Sequence, residues 1–262
     1  MSAGKWDDLT VRLGVGVALA VVGLGAVWIG WPVFHLLLVI AAGLMVWELA
    51  RMVSPDQADF ARIAGLLAGL GLGFAFLMPL GLALPLLLAP PLVAMGKLAR
   101  GKAVFVGYSA VILLAAFCLG SLRVHFGLTW ILWLLLVVIA TDIFGYFAGR
   151  FLGGPKFWPA ISPKKTWSGT AAGWGAAAIV GALFAAPTGA GSLLIALSVL
   201  LSLASQLGDI AESALKRRAG LKDSSALLPG HGGLLDRFDG LLGAALVLLL
   251  IKLFTGFPAG SL

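Results

Sequence analysis

The densest group of charged side chains in this apolar chain lies between Ser213 and Asp239. The segment reads SALKRRAGLKDSSALLPGHGGLLDRFD, and its ionisable residues are Lys216, Arg217, Arg218, Lys222, Asp223, His231, Asp236, Arg237 and Asp239. Guanidinium and ammonium groups bind phosphate oxygens, whereas carboxylates bind the hard cations that accompany phosphates. Because ionisable groups near a bilayer are costly and usually functional, the segment predicts phosphoryl or nucleotidyl transfer.

Two pairs of acidic residues share a three-residue spacing: Asp209 with Glu212, and Asp236 with Asp239. Residues three apart lie on one face of a helix, so each pair is predicted to place two carboxylates together. Lys216 follows Glu212 by four residues and could neutralise the first pair. The alternative is a Mg²⁺ site, since this ion takes one or two carboxylates plus substrate phosphates.

A further carboxylate, Asp142, lies inside the apolar run WILWLLLVVIATDIFGYFAGR, with Tyr146 four residues later. An uncompensated carboxylate is expensive in such a run. Two interpretations stay open, an ion pair with Arg150 and a site for a cation or substrate.

Two polar connections flank these acids. Pro229–Gly233 leads into the last apolar run, so its backbone N–H groups could cradle a phosphate at a helix N-terminus, or the glycines could form only a tight turn. His231 is predicted to bind substrate, and not metal, because no second His or Cys accompanies it. In Ser162–Thr166, Pro163 excludes a continuous helix and predicts an ordered turn that presents hydroxyl and ammonium groups. Lysines flanking a membrane span often serve only as topology signals.

The elements that carry these residues must be membrane helices. Hydrophobic residues make up 61% of the chain and charged residues 11%, against roughly 45–50% and about 25% in soluble domains. We therefore predict an all-α polytopic membrane protein with about nine transmembrane helices, eight or ten remaining open. The spans are predicted near residues 13–31, 33–50, 61–79, 80–96, 104–122, 128–148, 170–187, 190–208 and 240–257.

The basic residues predict the orientation. Under nine spans, 16 of the 18 Lys and Arg residues fall on one side, and only Arg123 and Lys252 fall on the other. This side is expected to be cytoplasmic, which places every motif there, with the N-terminus inside and the C-terminus outside. The net charge of +7 is attributed to topology and anionic lipids, and no nucleic-acid partner is expected.

The motifs also resemble a known family. Ser213, Lys216-Arg217, Lys222-Asp223, Pro229, His231-Gly232-Gly233, Asp236-Arg237 and Asp239 are similar to the signature of bacterial CDP-diacylglycerol synthases, also called phosphatidate cytidylyltransferases. Two more stretches resemble the same family: Ser162–Trp167, and Gly208-Asp209 with Glu212-Ser213. The resemblance covers roughly the C-terminal half, so we predict generic transmembrane helices in residues 1–100 and a catalytic region in residues 101–262.

The resemblance implies that CTP and phosphatidic acid react to give CDP-diacylglycerol and pyrophosphate. It implies Mg²⁺ as the cofactor and leaves open whether a second cation binds. It implies catalytic roles for Asp142, Asp209, Lys216, Arg217 and Asp236, and metal ligation by Asp142, Asp209, Glu212, Asp236 and Asp239, with Asp209 and Asp236 preferred. Substrate binding is implied for Ser162, Lys164, Thr166, Lys222, Asp223, His231, Gly232, Gly233 and Arg237. No general base is assigned, because the lipid phosphate is already ionised at neutral pH.

The expected partners are CTP, phosphatidic acid and the bilayer, with a second copy of the chain as a further candidate. The expected location is a bacterial-type cytoplasmic membrane. Two alternatives compete: a polyprenol kinase-like enzyme that uses CTP, and an ion-coupled secondary transporter. The transporter would need acids at mid-membrane depth and an inverted repeat, and neither pattern is evident.

Overall fold

The computed structural model describes residues 3–258, with side chains described from Arg12 onward. Nine long helices dominate this part of the chain: α1 (Ala3–Ile29), α2 (Val33–Val53), α3 (Ala58–Ala75), α4 (Leu80–Ala94), α5 (Lys102–His125), α6 (Gly127–Phe151), α7 (Trp167–Ala185), α8 (Leu193–Arg218) and α9 (Leu235–Thr255). A 3₁₀ turn, Met95–Lys97, follows α4.

Within the residues described, nine helical segments are long and apolar enough to cross a membrane, α4 being counted together with the 3₁₀ turn that follows it. A helix satisfies its own backbone hydrogen bonds, which is what hydrocarbon requires of a spanning segment. Large apolar side chains lie exposed on these helices, among them Trp28, Val93 and Phe254. The prediction of an all-α polytopic membrane protein is confirmed.

Several helices extend beyond the predicted apolar spans. α8 continues to Arg218, ten residues past its predicted end, and α9 begins at Leu235, five residues early. The runs of apolar residues predicted only the part of each helix that crosses the hydrocarbon. The helices continue beyond it through polar residues, several of which are good helix formers. α4 stays helical despite Pro85, Pro90 and Pro91.

The segment predicted as a turn is instead a strand. β2 (Ser162–Thr166) pairs antiparallel with β1 (Lys156–Trp158), Lys156 facing Thr166 and Trp158 facing Ser162. Pro163 excludes a helix as expected, yet its fixed φ is also compatible with extended backbone. Along β2, Pro163 and Lys164 are exposed, Lys165 is half-buried and Thr166 is buried.

The chain forms two compact units. The first comprises the residues up to Gly120 together with Arg218–Phe238, and the second comprises Ser121–Arg217 together with the residues from Asp239. The predicted division at residue 100 concerned the position of the motifs rather than packing, and it stays a prediction.

In the first unit α2 and α3 approach closely at glycines. A Cβ atom at Gly65 would lie only 2.9 Å from the Cβ of Trp47. In the second unit, hydrogen bonds join α6 to α8: Trp133 Nε1 donates to Ser198 Oγ at 2.9 Å, and Thr141 Oγ1 is 2.8 Å from Ser202 Oγ. These buried contacts hold the helix segments that carry Asp142 and Asp209.

Candidate active site

A cavity of about 560 Å³ lies within the second unit, between α6, β2, α7 and α8. Its lining includes Asp142, Tyr146, Lys164, Lys165, Thr166 and Asp209. Three separate sequence motifs therefore contribute to one cavity. Ser162, at the far end of β2 beside Trp158, lies outside this lining.

The closest charged contact in the cavity joins β2 to α8. Lys165 Nζ lies 2.6 Å from Asp209 Oδ2 and donates to the Gln206 carbonyl oxygen at 3.2 Å. Sequence reasoning assigned Lys164 and missed Lys165. No local signal in the sequence separates these neighbouring lysines. The structure separates them, since Lys164 is exposed whereas Lys165 is half-buried.

Thr166 links the strand to the helix that follows it. Its side chain is buried, and Oγ1 caps α7 by accepting the Gly169 N–H at 3.2 Å. Gly149 on α6 packs directly against it, since a Cβ at that position would lie 2.8 Å from Thr166 Oγ1. Thr166 thus has a structural role in addition to the substrate contact that the sequence predicts.

Asp142 interacts electrostatically with Lys165 and with Asp209. Arg150 instead donates to the Tyr146 hydroxyl at 2.7 Å. Among the described residues, the Asp142–Arg150 ion pair considered from the sequence is therefore not formed, and Asp142 belongs to the charged group at Asp209.

Asp239 adds a third carboxylate to this group. α8 and α9 approach so closely that a Cβ on Gly208 would lie 3.1 Å from the Cα of Gly243. Asp239 consequently interacts with the charges of Asp209, Asp142 and Lys216, and its Oδ1 accepts the Gly240 N–H at 2.7 Å.

The donor set fits Mg²⁺ in chemistry. Carboxylates of Asp142, Asp209 and Asp239 repel one another electrostatically, and a divalent cation would relieve that repulsion. Within the described part of the chain, no group of three or more His, Cys, Asp or Glu is arranged to hold a metal. Mg²⁺ binding stays a prediction, in which substrate phosphates would supply the remaining ligands.

Glu212 is fully buried, and its Oε2 lies 2.5 Å from Lys216 Nζ. This is the neutralisation by Lys216 that the sequence allowed. Ser213 Oγ donates to Asp209 Oδ1 at 3.4 Å. Metal ligation by Glu212 stays a prediction, and a metal ion there would compete with the ion pair that Glu212 forms with Lys216.

The first unit holds the remaining motif residues. Asp236 Oδ2 accepts three hydrogen bonds, from Ser224 N at 2.9 Å, Ser224 Oγ at 2.8 Å and Gly233 N at 2.7 Å. Arg237 donates through Nε and Nη2 to the His231 carbonyl at 3.0 and 2.7 Å. Asp236 and Arg237 thus organise the loop before α9, while Lys222 and Asp223 are exposed nearby.

The amides at the start of α9 have partners within the protein, and phosphate binding by Pro229–Gly233 stays a prediction. The N–H groups of Leu234 and Leu235 donate to Glu48 at 2.9 and 2.7 Å, and that of Gly233 donates to Asp236. Protein carboxylates therefore already occupy these three donors. Glu48, on α2, was missed because no short-range sequence pattern links it to a segment more than 170 residues away.

These features define the class of protein: a polytopic helical membrane protein with a polar, mixed-charge cavity suited to phosphate chemistry. Comparison with known proteins narrows the class. A model of the cytidylyltransferase family matches residues 10–254, and the chain belongs to this family.

Its relatives include enzymes from several bacteria. The chain is similar to a phosphatidate cytidylyltransferase of Brucella abortus (strain 2308), with 40% identity over 262 residues and 93% of each chain covered. It is also similar to the phosphatidate cytidylyltransferase of Bacillus subtilis (strain 168), with 34% identity covering 90% of this chain and 94% of the relative. The family resemblance carried by the motifs is confirmed.

Proposed function

We propose that this protein is a phosphatidate cytidylyltransferase, which converts CTP and phosphatidic acid into CDP-diacylglycerol and pyrophosphate. The observation that carries the proposal is the cavity in which Asp142, Lys165 and Asp209 meet on membrane-spanning helices and the strand between them. The relatives' names supply the substrates.

The reaction joins two polyanions. An oxygen of the lipid phosphate forms a bond to the α-phosphorus of CTP, and the bond from that phosphorus to the β-phosphate oxygen breaks, releasing pyrophosphate. The attacking oxygen is already ionised, so no proton has to be removed. Catalysis then consists mainly of neutralising charge and aligning the two phosphates.

The protein's own groups can meet both requirements. Lys164 is exposed at the cavity and can reach a triphosphate, while Lys165 is held at Asp209. Asp209, Asp142 and Asp239 would hold Mg²⁺, which would supply positive charge to the phosphate oxygens. Metal ligation by Asp236, which the family resemblance implies, stays a prediction from the sequence.

The distribution of Lys and Arg supports an orientation with the cavity facing the cytoplasm, where CTP is available. A bacterial cytoplasmic membrane is the corresponding location, in keeping with the bacterial relatives.

The decisive experiment follows the phosphorus label. The full-length protein in detergent is incubated with phosphatidic acid, Mg²⁺ and CTP labelled at either the α- or the γ-phosphate. We expect label in the lipid product from α-labelled CTP only, with one pyrophosphate released per lipid formed.

A polyprenol kinase-like reaction would transfer the γ-phosphate instead and leave CDP. Label from γ-labelled CTP in lipid, with polyprenol as the better acceptor, would therefore replace the proposed function. The Asp209→Asn variant provides the background rate for both labels.

A further inference from the structure

Glu48 is a buried carboxylate in a helix that otherwise reads as an ordinary membrane span. It lies on α2 in the sequence VFHLLLVIAAGLMVWELARMV, and its exposed fraction is 0%. Burying an ionised carboxylate is unfavourable unless hydrogen bonds compensate for the lost water. Its partners therefore indicate what it does.

Each described hydrogen bond to Glu48 comes from the segment that precedes and begins α9. Oε1 accepts Ser225 Oγ at 2.6 Å and Leu234 N at 2.9 Å. Oε2 accepts Leu235 N at 2.7 Å and Ser224 Oγ at 3.4 Å. Both oxygens act only as acceptors, and the two amides mark the N-terminus of α9, where a negative charge is stabilised by the helix dipole.

Glu48 and Asp236 act on the same short segment. Ser224 Oγ contacts both carboxylates, and the three consecutive amides of Gly233, Leu234 and Leu235 are divided between them. Gly233 leaves no room for a side chain, since a Cβ there would lie 2.9 Å from Glu48 Cδ. The Glu48 carboxylate on α2 thus holds the backbone at the start of α9 in place.

We infer that Glu48 is a positioning residue, which holds the segment from Ser224 to Asp236 in the conformation needed for turnover. The inference rests on the proposed cytidylyl transfer. In that reaction Glu48 touches neither substrate, and it acts through the orientation of Asp236 and its neighbours. This role requires two acceptor oxygens, because four hydrogen-bond donors contact the Glu48 carboxylate.

The variants Glu48→Gln and Glu48→Asp separate this role from simple space-filling. Gln has nearly the same shape but presents an NH₂ group to donors, whereas Asp keeps both acceptors on a shorter side chain. Leu49→Ala is the matched control, because Leu49 is the next residue of α2, is 1% exposed and has a purely apolar side chain.

We expect Glu48→Gln to lower kcat by about tenfold to a hundredfold, the effect of losing a charge-assisted hydrogen bond. Glu48→Asp should recover part of that loss. Leu49→Ala should keep kcat within about threefold of the wild type while lowering the Tm in detergent at least as much as Glu48→Gln, since a buried leucine leaves a cavity.

Amide hydrogen exchange gives a readout that does not depend on the reaction. The amides of Leu234 and Leu235 should exchange slowly in the wild type and in Leu49→Ala, and faster in Glu48→Gln. If the wild type made no CDP-lipid, the proposed function would fail while this measurement still tested the role of Glu48.

Two results would overturn the inference. One is unchanged exchange at Leu234 and Leu235 in Glu48→Gln. The other is a loss of kcat in Leu49→Ala as large as that in Glu48→Gln at equal Tm, which would make the effect one of general stability.

Discussion

The ammonium group of Lys165 lies 2.6 Å from a carboxylate oxygen of Asp209, and it also donates to the Gln206 carbonyl one helical turn earlier. The contact ties a short strand to the polar extension of a membrane helix. It places one cation among carboxylates that otherwise repel each other, so the charge of Asp209 is compensated before any substrate binds.

We predict that Asp209→Asn nearly abolishes turnover with little change in the Tm, since Asp209 lines the cavity and is partly exposed. EDTA should have the same effect on the wild type, reversed by excess Mg²⁺. Steady-state rates measure this, with Asp59→Asn on α3 as the control, because Asp59 is exposed beside Arg62. A residual rate above about a tenth, a loss under about 1.4 kcal/mol, would show that Asp209 is dispensable as a ligand.

Asp236→Ala is expected to reduce stability as well as activity. Its carboxylate accepts two hydrogen bonds from Ser224 and one from the Gly233 amide, and removing the acceptor leaves donors unsatisfied. The cost should be about 1–3 kcal/mol, measured by thermal or denaturant unfolding in detergent. An unfolding midpoint equal to that of the wild type would contradict the structural role of this residue.

The two lysines of β2 should give different kinetic effects. Lys164→Ala should raise the KM for CTP by about tenfold to a hundredfold, if its ammonium binds the triphosphate. Lys165→Ala should lower kcat instead, because it removes the cation that is paired with Asp209. Separate titrations of CTP and phosphatidic acid measure both. A change in Lys164→Ala confined to the KM for phosphatidic acid would assign this lysine to the lipid.

Gly208→Ala tests the close approach of α8 and α9. The added Cβ would lie 3.1 Å from Gly243 Cα, and overpacking of this kind typically costs about 1–3 kcal/mol. Gly175→Ala on α7 is the control, because a Cβ at that position would have nothing within 4 Å. Its Tm should equal or exceed that of the wild type. Equal stability of both variants would contradict the helix contact.

The orientation can be tested on one helix. Lys102 and His125 begin and end α5, so cysteines at these positions should lie on opposite sides of the membrane. In a background with Cys118 replaced, position 125 should react with an impermeant reagent in intact cells, and position 102 only after permeabilisation. Position 217 should behave like position 102, and its labelling from outside would reverse the topology. The predicted outer C-terminus, Leu262, lies outside the described residues.

The sequence by itself determined the class of fold and four of the polar residues in the cavity lining. Hydrocarbon accepts only long apolar segments with satisfied backbone groups, so the nine spans could be predicted from hydropathy. Asp142 and Asp209 stood out because carboxylates are rare in such a chain. Lys164 and Thr166 were assigned through the family resemblance, and the structure places all four residues in the lining of one cavity.

Tertiary structure alone decided which partners these residues take. Lys165 forms the ion pair with Asp209 and is half-buried, whereas the neighbouring Lys164 is exposed, although the two lysines look alike in the sequence. Glu48 looked like one polar residue in a generic helix, yet it accepts the first amides of α9 from more than 180 residues away. Such long-range hydrogen bonds depend on how helices pack, and neither local propensity nor hydropathy encodes that packing.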